Sequence, residues 1–203
     1  MYMTIFIIAI TSLVSILAFS NSVLFDRLKF NAFYIYHQKD WHRIITHALL
    51  HANWMHLIIN MFVLYSFGRV VEIYFDYYFG SKGTFFYILL YVTSILFSVL
   101  YTLNKQKENV FYNAVGASGA VSAIVFTAIF FAPWQMLYFF GIIPIPGIVF
   151  GVGYLFYSYK MGKKDNGIIA HDVHFWGAVY GFAFPVLIKY QLIWLFLHKL
   201  FAG

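Results

Sequence analysis

The sequence predicts an all-α protein that crosses a membrane several times, and three observations carry that expectation. Of 203 residues, 63% are apolar and 10% charged, with a mean hydropathy of +0.78; an ordinary soluble domain is less oily than this. The apolar residues fall into runs near span length, separated by short polar or proline-bearing segments. Phe and Tyr number 25 and 17, a supply suited to helix packing in lipid and to the aromatic belts at its two surfaces. Six runs are expected to form one membrane domain over residues 1–203. No internal repeat argues for a transporter's paired halves.

The first run is Tyr2 to Phe19. It lacks a basic leader and a small-residue cleavage site, so it reads as a retained span. About 34 residues follow, 20–53, without a span-length run. A connection that long is usually functional or holds helices of its own, and Phe30, Phe33, Tyr34, Tyr36 and Trp41 predict partial embedding at the interface. The second span runs from Trp54 to Phe75, where Arg69 and Glu72 are spaced to form an i,i+3 pair. Thr84 to Leu103 is the third. The fourth, Val115 to Phe131, is limited by Pro133 and places Ser118 about one turn inside. "WQMLYFFGIIPIPG" resists a straight helix because Pro144 and Pro146 each remove a donor. The fifth and sixth spans are expected over Pro146–Tyr159 and His171–Leu187, with Lys189 and the tail around Trp194 at an interface.

Composition also excludes. With no cysteine, disulfides, thiolate catalysis and iron–sulfur clusters fall away. The net charge of +6 favours anionic headgroups, but it is spread too thinly for a nucleic-acid partner. Were the amino terminus cytoplasmic, Arg27, Lys29, Lys39, Arg43, Lys105, Lys107, Lys160, Lys163 and Lys164 would face outward. The positive-inside rule prefers the reverse.

Polar groups inside a span are functional candidates, since their desolvation has to be compensated. His47 and His51 are i,i+4, as are His56 and Asn60, so each pair shares a face if its segment is helical. His171, His174, Gly177 and Gly181 can line one face of the sixth span, and the two glycines form a GxxxG pattern that admits a neighbouring backbone. The fourth span opens on Gly116, Ala117, Gly119, Ala120, Ser122 and Ala123, so it too is thin. Two thin helices can bring the Ser118 hydroxyl to a His174 ring nitrogen. Serine needs such a base to attack, and histidine titrates in the right range. The Ser118 N–H at a helix start, the Asn60 amide and a correctly tautomerised His56 supply donors for an oxyanion.

The same residues have plainer readings. A serine among glycines is an ordinary helix contact in lipid, His56 and Asn60 can be an interhelical pair, and His42, His47 and His51 suit an interface. Ser122 reads as another small packing residue. Asp172 stands i,i+2 from His174, about 160° around a helix, which makes it a poor third member of a triad. The histidines are numerous enough for zinc, although neither Glu72 nor Glu108 completes an HExxH spacing. Residue chemistry alone leaves a hydrolase, a metal or cofactor protein and a non-enzymatic bundle open.

Three motifs in order resemble the rhomboid family of intramembrane serine proteases. "RIITHALLHANWMHLIINMFVLYSFG" resembles its loop-to-second-span signature, with His56 and Asn60 at the HxxxN positions. "GASGA" matches its GxSG element at Ser118, and "IAHDVHFWGAVYG" matches its last span, with His174 as base and Gly177 and Gly181 as packing glycines. The likeness runs from Trp41 to Gly181 and includes "IIPIPG". It implies a six-helix core, a partly embedded first loop and a cap over Lys160–Ala170. It also implies a Ser118/His174 dyad without an acid, and oxyanion stabilisation by His56, Asn60, Ser118 and Gly116. Gly119 joins Gly177 and Gly181 in close packing near the site. No cofactor and no metal are expected. The implied partners are locally unwound transmembrane segments cleaved near small residues, membrane lipids, and water as second substrate. The implied location is a bacterial inner membrane or a plasma membrane, with the site toward the extracytoplasmic side. Departures are His42 within "WHRIIT", Trp176 beside Gly177, and Ser122 where some relatives place an aromatic ring against the base.

Overall fold

The computed structural model describes residues 2–139, 142–164 and 170–201, and helix dominates them. Helices occupy each expected run: α1 (Met3–Phe19), α5 (Trp54–Phe79), α6 (Gly83–Gln106), α7 (Ser118–Phe131), α8 (Gly147–Lys164) and α9 (His171–Ile188). The long first connection folds into α2 (Ser22–Leu28), α3 (Ala32–Gln38) and α4 (Arg43–Thr46), and α10 (Leu192–Phe201) follows α9. By length and apolarity together, Trp54–Gln106 meets the requirement for crossing a membrane, and α9 meets it when joined to α10 across a 119° bend. At 17 and 14 residues, α1 and α7 fall short of a full span.

Prolines shape the segment after α7. Met136–Phe139 (β1) pairs antiparallel with Ile143–Pro146 (β2), Tyr138 opposite Pro144 and Met136 opposite Pro146. A two-stranded ribbon tolerates proline because each strand has an open edge on which the missing N–H goes unneeded. The sequence expectation here, a disturbed helix, stopped short of a hairpin. The expected cap over Lys160–Ala170 is helical through Lys164, and 165–169 lie outside the described residues.

Helix α7 is the centre of the molecule. All its residues after Ser118 are buried, so it behaves as an inner rod that neighbours shield from lipid. Gly177 and Gly181 on α9 explain how close the approach is. A Cβ at Gly177 would strike the Gly119 carbonyl oxygen, and one at Gly181 the Ala123 carbonyl oxygen. Thr127 Oγ1 then donates to the Gly181 carbonyl at 2.7 Å. On the other side a Cβ at Gly119 would strike Ser98 Oγ of α6. Gly181→Val is therefore expected to force α7 and α9 apart and to cost about 3 kcal/mol, the upper range of overpacking. Thermal unfolding in detergent, against Ala183→Val on the same helix, measures it.

Glu72 departs from the expected pairing with Arg69. It is 4% exposed and turns to α1, where its carboxylate accepts from the Met3 N–H at 2.8 Å and from Thr4 Oγ1 at 3.1 Å. Thr4 Oγ1 also meets Tyr87 OH at 2.7 Å. The first N–H groups of a helix lack partners of their own, and a negative charge at that end is favourable. Arg69 instead donates to Tyr65 OH at 3.1 Å.

Candidate active site

The first loop and the chain before α7 are built against each other. Arg43, 8% exposed, donates from Nε to Asp40 at 2.9 Å and from Nη1 to the carbonyls of Asp26 and Lys29 at 2.6 and 3.1 Å. Its guanidinium lies 5.4 Å from the Tyr34 ring centroid. His42, the residue inserted before Arg43, contacts the Arg27 carbonyl through Nε2 at 3.0 Å and so adds a tie to the loop. Phe30 and Ala114 exchange backbone hydrogen bonds of 3.0 and 3.1 Å, while Asn31 Nδ2 donates to the Val110 carbonyl and to Asn113 Oδ1. The segment leading to the serine is thus clamped from the side.

Two backbone features set the serine itself. Gly116 has φ +127°, a conformation that L side chains rarely adopt, and the chain turns there into α7. Ser118 is consequently the first residue of α7 rather than one turn inside it. The Gly116 N–H donates to the His47 carbonyl at 3.0 Å. Gly116 was expected among the oxyanion groups; with its donor spent on His47 it contributes room. A Cβ at Gly116 would lie 2.8 Å from His56 Cε1, 3.0 Å from His56 Nε2 and 3.7 Å from Ser118 Oγ.

Ser118 Oγ and His174 Nε2 are 2.7 Å apart, a full hydrogen bond between α7 and α9. The small-residue contact between those helices makes that distance accessible. Asp172 points elsewhere: it accepts from Thr102 Oγ1 at 2.9 Å and from the Val173 N–H at 3.0 Å. Ser122, one turn beyond the serine, bonds Tyr154 OH of α8 at 2.8 Å, and the ring beside His174 is His171, 6.2 Å between centroids.

The HxxxN pair sits at the start of α5, capped by Asn53 Oδ1 accepting from the His56 N–H at 2.9 Å. Asn60 Nδ2 donates back to the His56 carbonyl at 2.9 Å, which engages one amide hydrogen and leaves the other. His56 Nδ1 receives the Ala52 N–H at 3.4 Å. A backbone N–H only donates, so Nδ1 is the acceptor and Nε2, the atom facing Gly116, carries the hydrogen.

Sequence reasoning missed what lies behind His56. His47 and His51 do not share a helical face, because the 3₁₀ turn His47–Leu49 ends before His51. Both are buried, 4% and 1% exposed, rather than interfacial. His51 stands edge-on to His56 at 4.9 Å. Ser15 of α1 donates to the Leu49 carbonyl at 2.7 Å and meets His51 Nδ1 at 3.0 Å. Burial first, then His56 alongside, pushes the His51 imidazole down to about 3, and burial pushes His47 down to about 4. Both rings are therefore neutral. Only the distant Ser15 could have signalled this, and a serine in an apolar run has no pattern to announce its partner. Among the described residues, no three of His, Asp or Glu are grouped to hold a metal ion.

A family model described as Rhomboid domain matches residues 38–192. The chain is 37% identical over 90 residues to "Rhomboid-like protein 11, chloroplastic" of Arabidopsis thaliana, covering 43% of this chain and 29% of that protein. It is 29% identical over 152 residues to "RHOMBOID-like protein 12, mitochondrial" of the same plant, covering 68% of this chain and 43% of that protein. The chain spans less than half the length of these relatives.

Proposed function

The chain belongs to the rhomboid family, whose members are embedded in membranes, and on that premise we propose that it is an intramembrane serine endopeptidase acting through Ser118 and His174. The observation that carries the reading is the 2.7 Å contact between Ser118 Oγ and His174 Nε2. As Oγ attacks a peptide carbonyl carbon, its proton passes to Nε2 and a C–O bond forms. The oxyanion draws hydrogen bonds from His56 Nε2–H, the remaining Asn60 amide hydrogen and the Ser118 N–H. Collapse breaks the C–N bond, and His174 returns the proton to the leaving amine. Water, deprotonated by the same histidine, then releases the acyl group.

Helices α1 and α5 to α9 form the six-helix membrane domain of residues 1–203 in this reading, with the first loop partly embedded. Helix α1, with 17 residues, and more so α7 fall short of a full crossing: the 14 residues of α7 reach about 21 Å of a hydrocarbon layer about 30 Å thick. The serine end of α7 stops inside the lipid boundary, where water has to be led in. The substrate is a membrane protein whose transmembrane segment is locally unwound, since a regular helix hides its carbonyls in i to i+4 bonds. The relatives' names place them in chloroplast and mitochondrion, which lends no support to a bacterial membrane for this chain.

A serine-directed electrophile such as a fluorophosphonate tests the reading without knowing the substrate. Intact mass after labelling in detergent is expected to show one adduct, located at Ser118 by peptide mapping and lost in His174→Ala. An adduct elsewhere, or none in a folded sample that binds labelled transmembrane peptides without cleaving them, transfers the site to a binding role.

A further inference from the structure

Serine attack asks more of His174 than one bond supplies. To take the Ser118 proton at Nε2, the ring has to carry its own hydrogen on Nδ1. In a triad a carboxylate holds that hydrogen and steadies the charge that follows. Here Asp172 is turned away and occupied by Thr102 Oγ1 and the Val173 N–H. Among the described residues His174 makes one hydrogen bond, through Nε2, so its Nδ1 depends on what stands beside it.

That neighbour is His171. The two residues are three apart on α9 and share a face of the helix, with ring centroids 6.2 Å apart and planes at 78°. His171 as a whole is half-buried, yet its Nδ1 is buried and has no hydrogen-bond partner; that nitrogen points into the protein. A polar atom so placed costs free energy until something meets it. Tyr157 of α8 backs the ring edge-on at 5.4 Å, which restricts its turning outward. His171 is also the first residue of α9, where the positive end of the helix disfavours a cation. A neutral ring with its hydrogen on Nε2 leaves Nδ1 as an acceptor. Ring centroids 6.2 Å apart hold the nitrogens beyond a direct bond of about 2.9 Å and within the reach of one bridging water.

We propose that His171 is a positioning residue for the base: through one water, its Nδ1 accepts the hydrogen that His174 carries on Nδ1. The bridge selects the tautomer of His174 whose Nε2 is free to accept. When the Ser118 proton arrives there, the same bridge offers the imidazolium an acceptor on its far side, and no proton passes to His171. A neutral imidazole brings a dipole rather than a charge, so its effect is far smaller than that of a triad carboxylate. The catalytic consequence rests on the serine reading, whereas the pairing of the two rings is a property of α9 alone.

Two measurements on two variants test it. His171→Leu fills the space without an acceptor, and His171→Asn puts an amide oxygen close to the place of Nδ1. The first measurement is the rate of fluorophosphonate labelling at Ser118, beside the affinity for labelled transmembrane peptides. The leucine variant should label about tenfold more slowly, the order of one hydrogen bond, with peptide affinity unchanged; the asparagine variant should stay within about twofold of the parent. The second is nitrogen-15 NMR of histidine-labelled protein in detergent, with His174 assigned by its loss in His174→Gln. The parent and the asparagine variant should hold the His174 hydrogen on Nδ1, and the leucine variant should show mixed tautomers. A folded leucine variant that labels at the parent rate or keeps the parent tautomer overturns the assignment, as does an asparagine variant no faster than leucine. If Ser118 in the parent does not label at all, the serine reading falls, and the tautomer comparison by itself decides the pairing.

Discussion

Replacing Ser118 with alanine should lower cleavage of a transmembrane substrate in liposomes by about 10⁴-fold or more, and replacing His174 should do nearly the same. The double variant should be little worse than either single one, because nucleophile and base act as one unit and their effects do not add. The physical ground is the 2.7 Å contact between Ser118 Oγ and His174 Nε2 together with the absence of an acid from the pair: Asp172 bonds Thr102 on the other side of the helix. Asp172→Asn should therefore leave the rate within a few-fold, unlike the roughly 10⁴-fold loss on removing a triad carboxylate. The substitution at Ser118 removes one hydrogen bond from a half-buried residue, so melting should shift little. A Ser118→Ala sample retaining one per cent of the parent rate, or activity that a chelator removes and zinc restores, would sink the serine assignment.

What could be read from the chain, and what could not, divides along local and distant information. GxSG, HxxxN and the His174 face with its glycines are local patterns, and each carries its own geometry. Gly177 and Gly181 announce a close neighbour by spacing alone, and the structure supplies Gly119 and Ala123 as the backbones they meet. Hydrophobic runs located six helices because lipid-facing and core residues are apolar alike. That same uniformity hid the end of α7: nothing in apolarity distinguishes Val115 from Val121, and only the backbone turn at Gly116 sets the helix start at Ser118. The hairpin at Met136–Pro146 was half legible, since proline says what cannot form more clearly than what does. Glu72 and His51 were misplaced for one reason. A buried polar group is explained by its partner, and the partners, Thr4 and Ser15, are dozens of residues away in α1.

His56→Ala should reduce the turnover number by about 10²–10³-fold with a smaller change in KM, the pattern for a donor that acts on charge developing in the transition state. The hydrogen-bond inventory decides which atom acts. Ala52 N–H occupies His56 Nδ1, so the hydrogen sits on Nε2, and Nε2 and Ser118 Oγ both lie within 4 Å of the same point above Gly116. Asn60 enters more weakly, because one of its amide hydrogens is held by the His56 carbonyl. Asn60→Ala should accordingly cost less than His56→Ala, about tenfold. A glutamine at 56 offers an amide hydrogen in place of the imidazole one and should recover part of the loss, whereas a phenylalanine fills the same space without a donor and should not. Equal rates for the glutamine and phenylalanine variants would mean that the ring serves only to pack against Gly116. His51→Phe separates the two roles further. It keeps an aromatic edge against His56 but gives up the bond to Ser15, and a fall in turnover there with His56 intact would show that the orientation of the donor is set from behind, through α1.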